Sequence, residues 1–391
     1  MTHSYTRSDT IARFEVMSVD LPFRLTFKHA AAAREVSSSV FIRCITASGA
    51  AGYGESLPRT YVTGESQADT HALLRDELLP RLVGRSFGDY AQVRDFLSAC
   101  DGKAPAEWSL GEKPQTAAWC AIDLALLDAF GCHFGENVVG GGSPAPDPGY
   151  RYSAVISAAG GWPLYKTLLK LRLFGLSQVK VKLGGGIGLE AIRTIGRALG
   201  RRADMRIDLN MLWDKDEALQ SMPAYAAAGV RSFEQPLPAD QLDQLAELVE
   251  KTGLYVMADE SLNDADSLET LIGMKACSAA NVRVSKCGGL MAAINRCRRA
   301  LDAGLMLQVG CQVGESSLLS AAQLALMSEV SGIRYLEGCF GTHLLERDPF
   351  SPELRFGRGG RPPPRPAGPG LGVDVDANYL EQCTTRHDEV S

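Results

Sequence analysis

From Tyr150 onward the chain repeats one pattern: a short apolar run, then a segment with helical spacing of its apolar residues, at roughly 25 residues per repeat. Eight runs read as strands, at 152–156, 179–183, 206–210, 232–234, 255–259, 281–285, 306–309 and 334–337. Helical segments such as 189–199, 216–228, 242–252 and 290–303 lie between them. Eight strands with crossover helices predict an α/β fold, a closed (β/α)8-type barrel. An open doubly wound sheet would want a Gly-rich phosphate loop after its first strand, and none is present.

The part before residue 150 has a different rhythm. Residues 38–46 alternate like a strand, and Gly52-Tyr-Gly-Glu55 reads as the start of a turn-rich stretch. Residues 69–79 form an amphipathic helix that Pro80 ends, and 115–130 a second helix with an apolar face of Ala118, Ala121, Ile122, Ala125 and Leu126. Residues 140–148, rich in Gly and Pro, read as a linker. The expected division is an α+β capping domain over 1–148, the catalytic barrel over 149–350, and a C-terminal segment, 351–391, returning to the cap. In that last part 358–370 is too rich in Pro and Gly for helix, and 372–376 is the stretch placed back on the cap.

Composition narrows the function. The chain has 391 residues, 45% hydrophobic and 22% charged, with a formal net charge of -6. That balance offers no footprint for nucleic acid or an anionic membrane. No run of about 18 apolar residues predicts a membrane span, and the polar start predicts no secretory leader. None of the ten cysteines forms a C-x-x-C pair. Buried reduced thiols and a cytoplasmic enzyme are therefore expected.

Barrel enzymes build their sites at the C-terminal ends of the strands, and polar residues gather there. In Val179-Lys-Val-Lys182, strand alternation puts Lys180 and Lys182 on one face and the valines on the other. Arg206-Ile-Asp-Leu-Asn210 groups Asp208 with Asn210; the next two strands end on Glu234 and Asp259. These acids are 26 and 25 residues apart, one βα unit each. Three convergent carboxylates repel unless a cation neutralises them, and hard oxygen donors suit Mg2+ or Mn2+. Glu260 competes with Asp259 for that role, and alternation leaves the choice open. Across the barrel, Lys286 follows a strand beside a Gly-Gly turn, but its parity groups it with Val282 and Val284. Lys182 and Lys286 from opposite walls would flank a substrate carbon, as removal of a proton α to a carboxylate requires.

These residues resemble the enolase superfamily, in particular its muconate lactonizing subgroup. The resemblance rests on K-x-K at Lys180/Lys182, D-x-N at Asp208/Asn210, E-Q-P at Glu234, D-E-S at Asp259, and N-x-[KR]-x-x-K-x-G-G ending on Lys286 and its glycines. It implies Mg2+ at Asp208, Glu234 and Asp259, Lys182 and Lys286 as the acid/base pair, Lys180 on the substrate carboxylate, a symmetric homo-oligomer and a small-molecule carboxylate substrate. Cap loops would select that substrate, with Lys28, His29, Arg59 and Tyr61 as candidates. Glu315, in Cys311-Gln-Val-Gly-Glu315, matches the family's strand-seven motif with one residue extra. The strand-eight region, Glu337-Gly-Cys-Phe-Gly-Thr-His343, lacks the D-x-D of dipeptide epimerases and looks more like that of muconate cycloisomerases. A cycloisomerase is therefore the favoured reading. A racemase or epimerase of N-substituted amino acids or dipeptides follows, then a dehydratase, with a non-catalytic binding protein as the alternative of a different class.

Overall fold

The computed structural model describes residues 8–29, 32–111, 113–139, 146–157, 160–184, 186–200 and 203–391, without the side chains between 25 and 33. The long strands Asp9–His29 and Ala32–Thr46 pair antiparallel, and Ala51–Ser56 adds a third. The final strand, Thr384–Val390, pairs with Asp9–His29, so the end of the chain forms the outer edge of the cap sheet. Residues 374–375, inside the stretch expected to return to the cap, pair with Phe350–Ser351.

Residues 52–55 are strand, against the expected turn. Their glycines serve close packing: a Cβ on Gly52 would stand 2.0 Å from Ala129 N, and one on Gly54 1.8 Å from Ala121 O. Both atoms belong to the helix Thr116–Phe134, which lies against that strand. The helix is long and apolar enough to cross a membrane, but 83% of its apolar window is buried inside the protein. It is the core of the cap.

The barrel strands are Ala154–Ile156, Gln178–Lys182, Asp204–Asp208, Val230–Glu234, Tyr255–Ala258, Ala279–Arg283, Met306–Gly310 and Ile333–Leu336, parallel and in sequence order. Tyr152 and Leu336 form a parallel bridge that joins the first strand's side of the sheet to the last. The fold is thus a (β/α)8-type barrel with an N-terminal antiparallel capping sheet. Val179 and Val181 are fully buried on the helix side, where each contributes about 1.5–3 kcal/mol of burial. Their neighbours Lys180 and Lys182 point the other way.

Two strands end two residues earlier than expected, and both ends shape the site. The third stops at Asp208, because Asn210 and Met211 adopt left-handed conformations with φ of 43° and 64°. The sixth stops at Arg283 and turns through Gly288 and Gly289. A Cβ on Gly289 would sit 2.3 Å from the Asp123 side chain of the cap helix, so only glycine lets the two domains approach there.

Candidate active site

Parallel pairing sets the second, third and fourth strands in register, so that Lys182, Asp208 and Glu234 stand side by side at their C-terminal ends. Asp259 follows the fifth strand directly. Asp208, Glu234 and Asp259 are at most 1% exposed. A buried carboxylate needs a partner, and each finds basic or amide groups. Lys180 Nζ lies 3.0 Å from Asp208, 2.8 Å from Glu234 and 3.3 Å from Glu337. Burial works against this ammonium, but the three acids outweigh it and hold its pKa well above the ordinary value. Asn281 donates from one amide to both Glu234 (3.0 Å) and Asp259 (3.2 Å).

Lys182 is placed differently. Its side chain is 21% exposed, and its Nζ lies 4.0 Å from Asp208. Burial lowers its pKa, and the neighbouring charges of Lys180 and Arg283 lower it further against the pull of Asp208. This is the direction a general base requires. Lys286 is fully buried; its Nζ donates to Asp259 Oδ1 at 2.9 Å, to the Asp259 carbonyl at 2.5 Å and to the Asn281 carbonyl at 3.4 Å. Strand parity does not govern Lys286, because it lies in the turn beyond the strand.

Four polar groups that sequence reasoning passed over complete the site. Arg283 binds Asp259 and lies 3.8 Å from Glu234. Glu337, just past the eighth strand, is held by Lys180 and Arg206; burial would raise its pKa, but Lys180, Arg206 and Arg283 bring it to about 2. Arg206 is fully buried, donates to Ser153 Oγ at 2.9 Å and lies over the Tyr335 ring at 4.7 Å. Gln308 Nε2 donates to Glu234 at 3.3 Å. The signal was available: Arg206 shares the parity of Asp208, and Asn281 that of Arg283, on strands whose other residues are apolar.

The donor chemistry fits a hard divalent cation. Three carboxylates end successive strands, and beside them Glu260 Oε2 is buried without a hydrogen-bond partner. Asn210 holds the other Glu260 oxygen at 3.1 Å, and burial with repulsion from Asp259 and Asp208 pushes Glu260 to about 7. Burial likewise pushes Glu234 to about 7 in spite of Lys180, whereas Arg283 and Lys286 overcome burial and bring Asp259 down to about 2. Among the described residues no three such groups are disposed around one point; Lys180, Arg283 and Lys286 pair with the acids. An ion here would compete with those side-chain cations for the same oxygens.

Above these groups lies a cavity of about 120 Å3. Its lining includes the polar residues Lys180, Lys182, Asp208, Asn210, Glu260, Arg283, Gln312 and Glu337, and Tyr61, Val62, Val155, Cys311, Val313, Phe340 and Leu344. Tyr61 therefore reaches the cavity from the cap, and Arg34 stacks on its ring at 5.4 Å. Glu315 is not on the wall: it accepts from Ser285 Oγ at 2.6 Å and from the Gln312 backbone at 2.7 Å. Arg59 is occupied in fastening the cap loop, donating to the carbonyls of Ser38 (2.8 Å), Pro58 (2.7 Å) and Val313 (3.4 Å). The side chains of Lys28 and His29 lie outside the described residues.

Comparison with known proteins matches two family models. Residues 11–139 match the mandelate racemase/muconate lactonizing enzyme N-terminal domain, and 166–379 the enolase C-terminal domain-like family. N-succinyl-L-Arg/Lys racemase of Bacillus cereus is 25% identical, covering 97% of this chain and 99% of that protein. Muconate cycloisomerase 1 of Rhodococcus opacus is also 25% identical, over 96% and 98%. The solved structure of a dipeptide epimerase from Cytophaga hutchinsonii, complexed with Mg and the dipeptide D-Ala-L-Val, superposes with a TM-score of 0.83 at 23% identity, covering 98% of this chain and all of that one.

Proposed function

Because this chain belongs to the enolase superfamily, in its muconate lactonizing enzyme subgroup, we propose that it is a Mg2+-dependent isomerase that takes the proton α to a substrate carboxylate on one face and returns one on the other. The supporting observation is the pair of lysines from the second strand and from the turn after the sixth: Lys182 lines the cavity with a lowered pKa, and Lys286, fully buried and outside the cavity lining, donates to Asp259. Two such groups favour a racemase or epimerase of N-substituted amino acids.

In this reading Lys182 accepts the α-proton once it has lost its own, and burial lowers its pKa in the direction that helps. Lys286 delivers a proton from the opposite side once Asp259 releases it. Lys180, fixed by three acids, supplies positive charge at the carboxylate end, and Glu337 fixes Lys180 and Arg206 in turn. Mg2+ at Asp208, Glu234 and Asp259, when bound, supplies the charge that makes a dianionic enediolate accessible.

A cycloisomerase is the second reading, favoured by the absence of a D-x-D motif after the eighth strand, where Phe340 and Leu344 line the cavity beyond Glu337. Lys182→Ala and Lys286→Ala separate the two. A two-base enzyme loses racemisation in both variants but keeps α-deuterium exchange of one enantiomer in each. A one-face cycloisomerase loses turnover through one lysine and retains it largely through the other. Full turnover in both variants would remove the lysine assignment altogether.

A further inference from the structure

Residues 146–151 lead into the first barrel strand, and residues 357–370 run back from the barrel to the end of the cap helix. The second segment is pinned at both ends: Tyr152 N donates to Gly360 O at 2.7 Å, and Gly370 N to Glu136 O at 2.8 Å. Between the two segments lies a cavity of about 700 Å3, lined by residues 146–148 and 151 of one and 361–365 of the other. It shares no residue with the cavity at the barrel mouth, so it stands apart from the proposed chemistry.

Its charge is unbalanced. Arg151, Arg361 and Arg365 face a single acid, Asp147. Arg151 Nη1 donates to the carbonyls of Pro148 and Tyr150, each at 2.6 Å. Arg365 Nη1 donates to Asn137 Oδ1 at 2.5 Å, and Asn137 is held in turn by donating to Gly368 O at 2.6 Å. These acceptors are neutral, so they fix the guanidiniums and leave their charge uncompensated. The Arg361 side chain donates to no described residue, and no ion pair joins any of the three to an acid among the described residues. Elsewhere Arg75, Arg296 and Arg299 sit on carboxylates. The undescribed 140–145, Gly-Gly-Gly-Ser-Pro-Ala, bring no charge. The one acid in any undescribed segment is Glu112, whose neighbour Lys113 pairs with Glu77 in the cap.

Pro362, Pro363 and Pro364 fix φ at every position between Arg361 and Arg365, which therefore stand on a stiff strap. Cations held in place before a ligand arrives reduce the entropy lost on binding. A guanidinium fork matches two phosphate oxygens at once, and two forks four residues apart call for more than one anionic group. The volume is that of an ordinary small-molecule site. We propose that this cavity binds a small polyphosphate, either a free chain or the triphosphate of a nucleotide.

The test is calorimetry on the whole protein without Mg2+, using tripolyphosphate, ATP, orthophosphate and citrate at low and at near-physiological ionic strength. Tripolyphosphate should bind more tightly than orthophosphate or citrate, and more weakly as salt rises. ATP binding as tightly as tripolyphosphate identifies a nucleotide site; tripolyphosphate alone identifies a free chain. Arg361→Ala should weaken binding about tenfold or more, the loss of a charge-assisted hydrogen bond, and Arg361→Glu should abolish it. Arg361 is exposed and its side chain holds no described partner, so both variants should melt like the unaltered protein. No binding, citrate binding more tightly than tripolyphosphate, or binding unchanged in Arg361→Ala overturns the assignment. So does binding that Lys182→Ala removes and Arg361→Ala does not, which would place the anion at the barrel mouth.

Discussion

Two sets of buried carboxylates divide this molecule, and they are neutralised by different means. Along the seam around the cap helix, the partners are largely backbone N–H groups. Glu65 accepts from Ala117 and Ala118 at 2.8 and 2.9 Å, at the start of the helix Thr116–Phe134. Asp123 accepts from Leu290 at 2.6 Å and Met291 at 3.4 Å, at the start of Leu290–Asp302. Glu55 accepts from the Ser316 backbone at 3.2 Å and its hydroxyl at 2.5 Å, where Ser317–Glu329 begins. The orphan N–H groups and positive dipole of a helix N-terminus are fixed partners. At the barrel mouth the partners are lysine and arginine side chains, which can let go.

The difference teaches what marks a functional acid here. Burial pushes seam carboxylates upward as strongly as those at the mouth: Glu65 and Asp123 to about 7, Glu55 to about 8, against about 7 for Glu234. A raised pKa therefore does not separate the two sets. The kind of partner does: backbone N–H groups at the seam, and lysine and arginine side chains at the mouth, which in the proposed function give way to a metal ion.

The largest expected break in the comparison is at the mouth lysines. Removing Lys182 or Lys286 by alanine should lower turnover about a hundred- to ten-thousand-fold, the range for a lost acid or base, while Lys182→Ala leaves the thermal midpoint nearly unchanged. Steady-state rates and melting curves on one preparation check both halves. Next is metal binding: Mg2+ should raise the melting temperature of the unaltered protein and not that of Asp208→Asn; a shift retained in the variant would place the ion elsewhere.

At the seam the effects reverse. Asp123→Ala strands two backbone N–H groups at a domain contact and should cost about 1–3 kcal/mol in urea unfolding, with KM unchanged. The smallest effects are in pH. Lys182 must lose its proton to act as base, so turnover should rise with pH along an arm whose pKa lies below the ordinary 10.5; an arm at or above that value contradicts the role. Asp123 has its folded pKa raised from 3.8 to about 7. Its contribution to stability is fully present below 3.8 and is lost as pH rises toward 7. In Asp123→Asn that slope in a pH series of melts should flatten.

The barrel was legible because its period is strong: all eight strands lie within two residues of where alternation placed them. What alternation missed was set by tertiary contact. Gly52 and Gly54 read as turn residues, yet they mark the approach of a helix that lies far along the chain. Parity grouped Lys286 with Val282 and Val284 and left its aim to where the strand ends; the strand stops at Arg283, and the Gly288-Gly289 turn carries the chain onward. Arg59 read as a substrate contact, because no sequence signal tells a guanidinium aimed at solvent from one spent on three carbonyls. Arg283 and Glu337 needed only the strand periodicity already in use, followed one residue type further.

The central claim is that the metal and the mouth lysines act together on an α-proton. The direct measurement is α-deuterium incorporation into N-acetyl-phenylalanine in D2O, followed by mass spectrometry with Mg2+ and again with EDTA. Exchange that depends on Mg2+ and vanishes in a Lys182→Ala/Lys286→Ala double variant is the expected result. Exchange that persists in EDTA, or in the double variant, would contradict it.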